Sequence, residues 1–486
     1  MDTMKKSNTV QKCSPLLFLF LGWLGLGWQP VNGQPVSAPS GRQQLTRDQQ
    51  RWITRANRHD RDGWISLRLD GSPRELGFQH GYLLAKEIDG SLRTTRKEWE
   101  YGSGMDWSWL VQKGNEMFLP RIDSSLLAEL DGIVEGLAAA GVKSDRAEII
   151  TYNGIIELGK YWWPGIKDSL KLRSPSHSKQ SCSSFIATGS LTRDGGIVLG
   201  HNTMTSYVSA DCNIILDVLP RTGHRILMQA SPGWVHSGTD FFITDAGLIG
   251  SETTIDGFSG FDEHGVPEFV RMRRATQDAS SIDEWCAIMR TGNNGGYANA
   301  WLIGDTKTNE IARLELGLKY VGFDRTRDGY YVGSNIAEDV KILRHETNIR
   351  ETDIRNSDIA RRVRWKQLMK DNRGRITAAL AKQFEGDHYD TYLMQVRLGS
   401  RSLCAHWDRD STDPGEVPFD PSGTVDAKVV DSGMAKRMAF SARWGSGCGT
   451  AFNAPDFLQN HPQFDWLTGI LHSRASYPWT EFRAGE

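Results

Sequence analysis

Two spacings of apolar residues divide the chain. In the first third, apolar residues recur at intervals of three and four, as in Leu126, Leu130 and Ile133, which predicts helices. After Cys182 the interval shortens towards two, which predicts short strands separated by turns. From about Asn356 the pattern becomes helical again. The order of helices, strands and helices predicts an α+β fold with sheets between helical layers.

The predicted strands begin with residues 64–70 and continue after Cys182 as a series of short runs. These runs are Cys182–Ser190, Gly196–Gly200, Cys212–Leu219, His224–Ala230, Phe241–Ile243, Gly247–Ile255, Ala300–Gly304, Glu310–Leu316 and Tyr330–Ser334. The predicted helices include Glu148–Leu158, Ile282–Arg290 and Ile359–Met369, the last capped by Asn356 or Ser357. No internal repeat interrupts this order.

The N-terminus has the pattern of an export signal. Lys5 and Lys6 precede the apolar run Pro15–Trp28, and Val31-Asn32-Gly33 offers small residues for cleavage. The run is shorter than the roughly 20 residues that span a bilayer. We therefore predict a signal peptide over residues 1–33, with no integral membrane span after its removal. The alternative is an uncleaved membrane anchor. A signal predicts a secreted or periplasmic protein, or a lysosomal-type lumen in a eukaryote.

Charge and cysteine content narrow the classes of partner and site. The 57 basic and 59 acidic residues nearly balance, so nucleic acid is not an expected partner. Five cysteines follow the predicted signal, and in an exported protein an odd number implies at least one free thiol. Their spacing is irregular and contains no CxxC pair, which predicts that no metal site of the zinc class is present. The sequence does not decide whether Cys404 and Cys448 form a disulfide.

Cys182 is the main candidate for chemistry. It lies in Ser181-Cys182-Ser183-Ser184-Phe185, where small polar neighbours leave room for attack on the preceding carbonyl. Cleavage of the 181–182 bond would give Cys182 a free α-amine, whose reference pKa of about 7.7–8.0 suits a base for the thiol. The alternative is a buried core cysteine or half of a disulfide.

Three other segments carry candidate site residues. His201 and Asn202 follow the strand after Cys182, and a hairpin at Arg193–Gly196 would bring them beside it. Thr254 ends a strand rich in hydroxyl groups, and Asn299 begins another strand, where its amide could stabilise an oxyanion. The alternative for each is an ordinary polar residue at a turn or a strand end.

These motifs together resemble the phospholipase B-like proteins and the wider acyl-coenzyme A:6-aminopenicillanic acid acyltransferase-like group, peptidase family C45. The resemblance rests on eight short segments in one order, the last together with Asp305. They are Gly77-Phe78-Gln79-His80-Gly81, Ser181-Cys182-Ser183, Gly200-His201-Asn202-Thr203, Ser231-Pro232-Gly233-Trp234, Asp240-Phe241-Phe242, Gly247-Leu248, Glu252-Thr253-Thr254 and Asn299-Ala300-Trp301. Met204 stands where the acyltransferase branch has Asp, which favours the phospholipase B-like branch.

The resemblance implies a four-layer αββα sandwich of antiparallel sheets, as in N-terminal-nucleophile hydrolases. It implies autocleavage between Ser181 and Cys182 into a helix-rich portion, 34–181, and a catalytic portion, 182–486, that stay together. It also implies that Cys182 is the nucleophile, that Asn299 supplies the oxyanion hole, and that no cofactor is needed. The substrate-binding arginine stays unassigned among Arg361, Arg362 and Arg364, for which a solvated basic face is the alternative.

Two functions are compatible with this pattern. The first is an exported hydrolase that cleaves an amide or ester bond of an acylated small molecule or lipid through a thioester, with His201, Asn202 and Thr254 orienting the reacting groups. The second is a non-catalytic exported protein of the same fold that binds lipid or glycan. The sequence does not fix the oligomeric state.

Overall fold

The computed structural model describes residues 44–169, 182–209, 213–238, 241–414 and 417–486. All of them belong to one folded unit, Arg42–Glu486. The predicted signal peptide, Ser181 of the predicted cleavage site, Cys212 and Asp240 lie outside the described residues.

The strands form two large sheets and one small one. In chain order they are β1 Asn57–Arg61, β2 Trp64–Gly71, β3 Ser183–Thr188, β4 Val198–Ser206, β5 Ile214–Pro220, β6 Ile226–Ala230, β7 Phe241–Thr244, β8 Leu248–Thr254, β9 Asn299–Asp305, β10 Glu310–Leu316, β11 Val321–Thr326, β12 Gly329–Gly333, β13 Tyr389–Asp390, β14 Gln395–Val396, β15 Ser422–Asp431, β16 Ala439–Trp444 and β17 Thr480–Arg483. Sheet A has the order β1-β2-β5-β6-β7-β8-β9-β10-β11, sheet B has the order β12-β3-β4-β15-β16-β17, and β13 pairs with β14.

The α-helices precede, interrupt and follow the strands. They are α1 Arg47–Arg55, α2 Pro73–Leu83, α3 Ala85–Ser103, α4 Trp107–Phe118, α5 Ser124–Ala139, α6 Arg146–Asn153, α7 Ile155–Glu157, α8 Trp163–Ser169, α9 Glu268–Asp278, α10 Ile282–Arg290, α11 Val340–His345, α12 Ser357–Asp371, α13 Ala378–Phe384, α14 Ser432–Lys436 and α15 Ala454–Asn460. A π-helical turn, Leu158–Trp162, joins α7 to α8.

The helices and the two large sheets form four layers, helices, sheet A, sheet B and helices, with an apolar core between each neighbouring pair of layers. Between the sheets, side chains of sheet B such as Leu199 pack with side chains of sheet A such as Leu302. The other face of sheet A, including Trp301, packs on the N-terminal helices and on α9 and α10. The other face of sheet B packs on α12 and α13, where Phe185 meets Trp365. The predicted α+β sandwich with helical outer layers is confirmed.

The N-terminal portion contributes directly to sheet A. Strand β2 pairs with β5 in parallel, with Leu67 opposite Leu216. Among the described strands this is the one parallel pair, and the other strand pairs of the two large sheets are antiparallel, as predicted. The parallel pairing follows from the long connection through helices, since parallel neighbours need a crossover rather than a hairpin. Backbone hydrogen bonds thus tie residues before 182 to residues after it. The division into portions 34–181 and 182–486 stays a prediction.

Glycines allow the close packing of helices α2 and α5. A Cβ atom at Gly77 would lie 1.8 Å from the carbonyl oxygen of Glu129, and one at Gly81 would lie 2.1 Å from that of Ile133. The motif Gly77–Gly81 therefore has a packing role in the first helical layer. His80, between the two glycines, accepts a 2.9 Å hydrogen bond from the backbone amide of Gly233.

Most predicted elements occur within a few residues of their expected bounds. Helix α10 coincides with the prediction, and Asn356 caps α12 by accepting from the amide of Asp358. Two expectations are wrong. Gly154 ends α6, so Glu148–Leu158 is not one continuous helix. The region after Asn356 does not stay helical, because β15, β16 and β17 complete sheet B. No helix in the described parts of the chain is long and apolar enough to cross a membrane.

Candidate functional site

Cys182 lies immediately before β3, at the beginning of an interior strand of sheet B. Its side chain is buried, with 5% of the residue exposed, and its thiol is not part of a disulfide. Its backbone carbonyl oxygen accepts a 2.9 Å hydrogen bond from Nη1 of Arg361 on helix α12. The thiol is therefore not consumed by a disulfide, and the Cys182 backbone is held in place from the outer helical layer.

Burial raises the pKa of the Cys182 thiol to about 12, and the charge of Glu252 acts in the same direction. The backbone amide of Met204 and the ammonium of Lys428 act against this shift, because both favour a thiolate. The sulfur is consequently a protonated thiol at neutral pH.

The predicted hairpin between the Cys182 strand and the next strand is confirmed. Strands β3 and β4 pair antiparallel, and Ser184 lies opposite His201. The Oγ atoms of Ser184 and Ser251 lie 2.7 Å apart, which connects the hairpin to sheet A. The hairpin thus brings His201 and Asn202 to the beginning of β3, as the sequence predicts.

His201 points into the space between the sheets. Its Nε2 atom lies 3.0 Å from the carbonyl oxygen of Glu252, and its ring lies beside Phe241. Burial holds the pKa of His201 well below its usual value, and the nearby Lys428 lowers it further. The imidazole is therefore neutral, and the proton that Nε2 donates to Glu252 fixes its tautomer.

Asn202 faces the opposite side of sheet B from His201, as alternation along a strand requires. Its amide donates hydrogen bonds of 2.9 Å to the carbonyl oxygen of Glu385 and 2.7 Å to that of Leu403. Asn202 therefore anchors two loop carbonyls behind the strand that carries His201.

Thr254 and Asn299 lie opposite each other where β8 and β9 meet at their ends. Asn299 is fully buried, and neither atom of its amide has a hydrogen-bond partner among the described residues. The carbonyl oxygen of Thr254 accepts a 2.8 Å bond from Nδ2 of Asn335, and Oδ1 of Asn335 accepts a 2.8 Å bond from Arg361. Because Arg361 also holds Cys182, hydrogen bonds run continuously from the thiol-bearing residue to the Thr254–Asn299 pair.

Arg361 is not on a solvated basic face. It is fully buried, and in addition to its bonds to Cys182 and Asn335 it forms a 2.6 Å ion pair with Asp358. Arg362 and Arg364, in contrast, are partly exposed and pair with Glu338 and Asp387. The sequence signal for this difference is weak, because all three arginines lie on the same helix.

Sequence reasoning missed a buried polar group on β15. Lys428 lies opposite His201 in the sheet, bonds to Asp426, and donates a 2.5 Å hydrogen bond to Oγ1 of Thr203. Asp426 in turn accepts a 2.9 Å bond from Asn213. Lys428 and Asp426 both influence the pKa of Cys182. Polar residues at every second position of β15 give the available signal, although such alternation usually marks an exposed face.

A second cluster of reactive side chains lies in the loops beside sheet B. His388, Cys404, His406 and Cys448 place one potential ligand atom each within 4.8 Å of one another. The sequence spacing predicted no metal site, yet the fold gathers these four residues from three segments. Cys404 and Cys448 are both free thiols, so the disulfide left open by the sequence is not formed.

Part of the chain matches a known protein family. Residues 111–321 match the model of the Phospholipase B family. Over this segment the chain is similar to the phospholipases B. The predicted resemblance to phospholipase B-like proteins is thereby confirmed. The matched segment contains Cys182, His201, Asn202, Thr254 and Asn299, whereas Arg361, Asp426 and Lys428 lie beyond it.

The individual phospholipase B relatives are distant. Phospholipase B of Crotalus adamanteus is 27% identical over 289 residues, which cover 54% of this chain and 49% of that protein. Putative phospholipase B-like 2 of Rattus norvegicus is 28% identical over 155 residues, or 27% of this chain and 25% of that protein. An uncharacterized protein of Archaeoglobus fulgidus is 24% identical over 266 residues, or 51% of this chain and 42% of that protein. The chain thus spans about half or less of the length of these relatives.

Proposed function

We propose that this chain is an exported, autoproteolytic N-terminal-nucleophile hydrolase that uses Cys182 to cleave an amide or ester bond of an acylated small molecule or lipid. The observation that carries the proposal is the free, buried thiol of Cys182 at the beginning of an interior strand, with its carbonyl held by Arg361. The phospholipase B names of the relatives support a lipid ester as one substrate class.

Maturation would begin with attack of the Cys182 sulfur on the carbonyl carbon of Ser181. The peptide nitrogen leaves that carbon, takes up the thiol proton and becomes the α-amine of Cys182, while the acyl group moves to sulfur as a thioester. Water then hydrolyses the thioester, which restores the thiol and leaves a carboxylate on Ser181. Because β2 and β5 share sheet A, the two resulting chains would stay associated.

In the mature enzyme the α-amine would accept the thiol proton as the sulfur attacks the substrate acyl carbon. The leaving amine or alcohol takes that proton, and water hydrolyses the thioester to release the acid. The amide of Asn299 suits an oxyanion donor, because it is buried and unpartnered among the described residues. A buried polar group without a partner lowers stability, so its presence supports a catalytic use.

The remaining predicted residues would position these groups. His201 is neutral and donates to the carbonyl of Glu252, so it is suited to orient the interior of the site rather than to carry a charge. Thr254 lies opposite Asn299 and fixes the end of its strand through Asn335. Asn202 secures the loops behind β4.

The proposal is tested by comparing wild type with Cys182→Ala and with Cys286→Ala on two substrates, a diacyl phospholipid and an N-acyl amino acid. Cys286 is a second buried free cysteine, on helix α10. We expect Cys182→Ala to lose at least about 10³-fold in kcat/KM and Cys286→Ala to stay within about threefold of wild type. Undiminished hydrolysis by Cys182→Ala would remove the proposed nucleophile. Binding of the phospholipid without turnover by wild type would favour the lipid-binding alternative.

A further inference from the structure

Four metal-ligating side chains converge outside the proposed catalytic site. His388 precedes β13, Cys404 and His406 lie in the loop before β15, and Cys448 lies in the loop after β16. Cys404 and His406 are buried, whereas His388 and Cys448 are partly exposed. Two imidazoles and two thiols from three separate segments are a ligand set that proteins use for tetrahedral zinc.

The interatomic distances match those around a tetrahedral ion. The Nε2 atom of His406 lies 3.6 Å from the sulfur of Cys404 and 3.6 Å from the sulfur of Cys448. With metal bonds of about 2.3 Å to sulfur and about 2.0–2.1 Å to nitrogen, tetrahedral angles set the nitrogen–sulfur distance at about 3.6 Å. Both nitrogen–sulfur distances are therefore those that a tetrahedral ion requires, and all four ligand atoms lie within 4.8 Å of one another.

The surroundings hold the ligands in suitable orientations. The sulfur of Cys448 lies 3.3 Å from Oγ of Ser446 and accepts a 3.3 Å hydrogen bond from the amide of Thr450. While Nε2 of His406 faces the sulfurs, its Nδ1 atom lies 3.8 Å from Asp408, a carboxylate that Tyr207 fixes with a 2.8 Å bond. A carboxylate near the outer nitrogen commonly supports a metal-bound histidine, although 3.8 Å is longer than a direct hydrogen bond.

His388 gives an independent indication of a ligand. Its Nε2 atom is buried and has no hydrogen-bond partner in the parts of the chain that the structure describes. Its ring centroid lies 5.3 Å from that of His406. A buried nitrogen without a hydrogen-bond partner lowers stability. Coordination to a metal ion, held also by the two thiols and the second imidazole, would give its lone pair a partner.

We propose that His388, Cys404, His406 and Cys448 bind one Zn²⁺ ion in a closed structural site. Two thiolates and two imidazoles favour zinc over Mg²⁺ or Ca²⁺, which prefer oxygen ligands. Because the protein supplies all four ligands, the ion keeps no open position for a substrate. The ion would also cross-link the two segments to which Asn202 donates hydrogen bonds, at the carbonyls of Glu385 and Leu403. Glu385 lies three residues before His388, and Leu403 directly precedes Cys404.

The competing arrangement is a disulfide between Cys404 and Cys448, which an oxidising compartment would allow. A disulfide would consume both thiolates and leave the two histidine nitrogens facing sulfurs that no longer bind them. The two arrangements also differ in composition, because zinc binding preserves both thiols and a disulfide removes them. This difference can be measured directly on the purified wild-type protein.

The test is metal analysis of dialysed full-length protein by mass spectrometry, combined with thiol titration under denaturing, non-reducing conditions in EDTA. We expect one zinc per chain and reactive thiols at both Cys404 and Cys448. Protein with no bound metal overturns the proposal, whether the two cysteines prove to be disulfide-bonded or free. Zinc that a brief dialysis against a weak chelator removes completely would also overturn a closed site.

Variants locate the ion and separate this proposal from the catalytic one. We expect Cys404→Ser and His388→Ala to lower zinc affinity at least tenfold, while Cys286→Ser keeps one zinc per chain. Cys182→Ala should also keep the zinc, so loss of the proposed catalysis would leave this result intact. If the ligand variants fail to fold, cobalt substitution of wild type decides the matter. Thiolate-to-cobalt charge-transfer absorption supports the site, and its absence contradicts it.

Discussion

Arg361 donates a 2.9 Å hydrogen bond from its guanidinium to the backbone carbonyl oxygen of Cys182. The same guanidinium bonds to Asn335, which reaches the end of β8 at Thr254. One buried side chain of the outer helical layer therefore fixes the relative position of the proposed nucleophile and of the strand end beside Asn299.

Replacing Arg361 should destabilise the protein and slow its maturation. Arg361→Ala leaves Asp358 buried without its ion-pair partner, a change that typically costs about 3–5 kcal/mol of unfolding free energy. Lys366→Ala on the same helix removes an exposed charge and should cost less than about 1 kcal/mol. Urea denaturation monitored by circular dichroism measures both. Equal unfolding midpoints for the two variants would show that Arg361 does not have this anchoring role.

Replacing Asn299 by alanine should mainly lower kcat, whereas replacing Asn335 by alanine should mainly lower the unfolding free energy. The amide of Asn299 makes no hydrogen bond to the described residues, so Asn299→Ala should change the unfolding free energy by about 1 kcal/mol or less. Loss of an oxyanion donor should nevertheless lower kcat by about 10²–10³-fold. Asn335→Ala removes two hydrogen bonds, one of them from Arg361, and should cost about 2–4 kcal/mol.

The decisive measurement is kcat and thermal stability of both variants side by side. An Asn299→Ala protein that unfolds at a much lower temperature, with kcat near that of wild type, would assign Asn299 a structural role instead of a catalytic one.

The sequence predicts the layers and the hairpin better than it predicts the composition of the site. Cys182 and Asn299 lie at the beginnings of β3 and β9, which alternation and turn residues reveal, so their elements could be located in advance. The sequence predicts His201 just after a strand ending at Gly200, but β4 continues to Ser206 and His201 lies inside it. Lys428 and Asp426 could not, because β15 is buried on both faces and its polar residues look like a solvent-facing row. The cluster of His388 and Cys448 depends on distant loops meeting, which no local spacing encodes.

There is also a physical reason why the sequence does not predict that Arg361 is buried. An arginine on a helix is ordinarily exposed, and its burial here depends on Asp358, Asn335 and the carbonyl of Cys182 together. Only the packing of α12 on sheet B brings these partners within reach.

The contact between α2 and α5 predicts opposite effects for two glycines. Gly81→Ala would place a methyl group about 2 Å from the carbonyl oxygen of Ile133, so the helices must separate at a cost of about 1–3 kcal/mol or more. Gly90 on α3 has no atom within 4 Å of the added Cβ position, so Gly90→Ala should stabilise the protein by about 0.5–1 kcal/mol. Thermal unfolding compares the two, and a tolerated Gly81→Ala would argue against this close approach of the helices.

Acid should destabilise the fold through its buried histidines. Burial lowers the pKa of His80 to about 3, and the charge of Arg273 contributes. Between pH 6.5 and about 3 the unfolded chain binds a proton that folded His80 does not bind. His80 therefore lowers the unfolding free energy by about 1.4 kcal/mol for each pH unit that the solution is acidified within this window.

A difference measurement isolates this contribution from groups of opposite sign. Burial raises the pKa of Glu157 to about 7. Between pH 4.5 and 7 the folded protein therefore binds a proton on Glu157 that the unfolded chain has released. The unfolding free energy falls as the pH rises through this range. Subtracting the urea-unfolding free energies of His80→Gln from those of wild type at pH 4–6 removes that background. We expect the variant to have a pH slope smaller by about 1.4 kcal/mol per unit, and identical slopes would contradict a neutral buried His80.

The central claim is that Cys182 becomes the N-terminal residue of its own chain. Intact-mass analysis and N-terminal sequencing of purified wild-type protein test it most directly, with Cys182→Ala as the matched variant. The account predicts two polypeptides in wild type, one of them beginning at Cys182, and one uncut polypeptide in the variant. A wild-type protein that hydrolyses its substrate as a single chain, with the 181–182 bond intact, would contradict it.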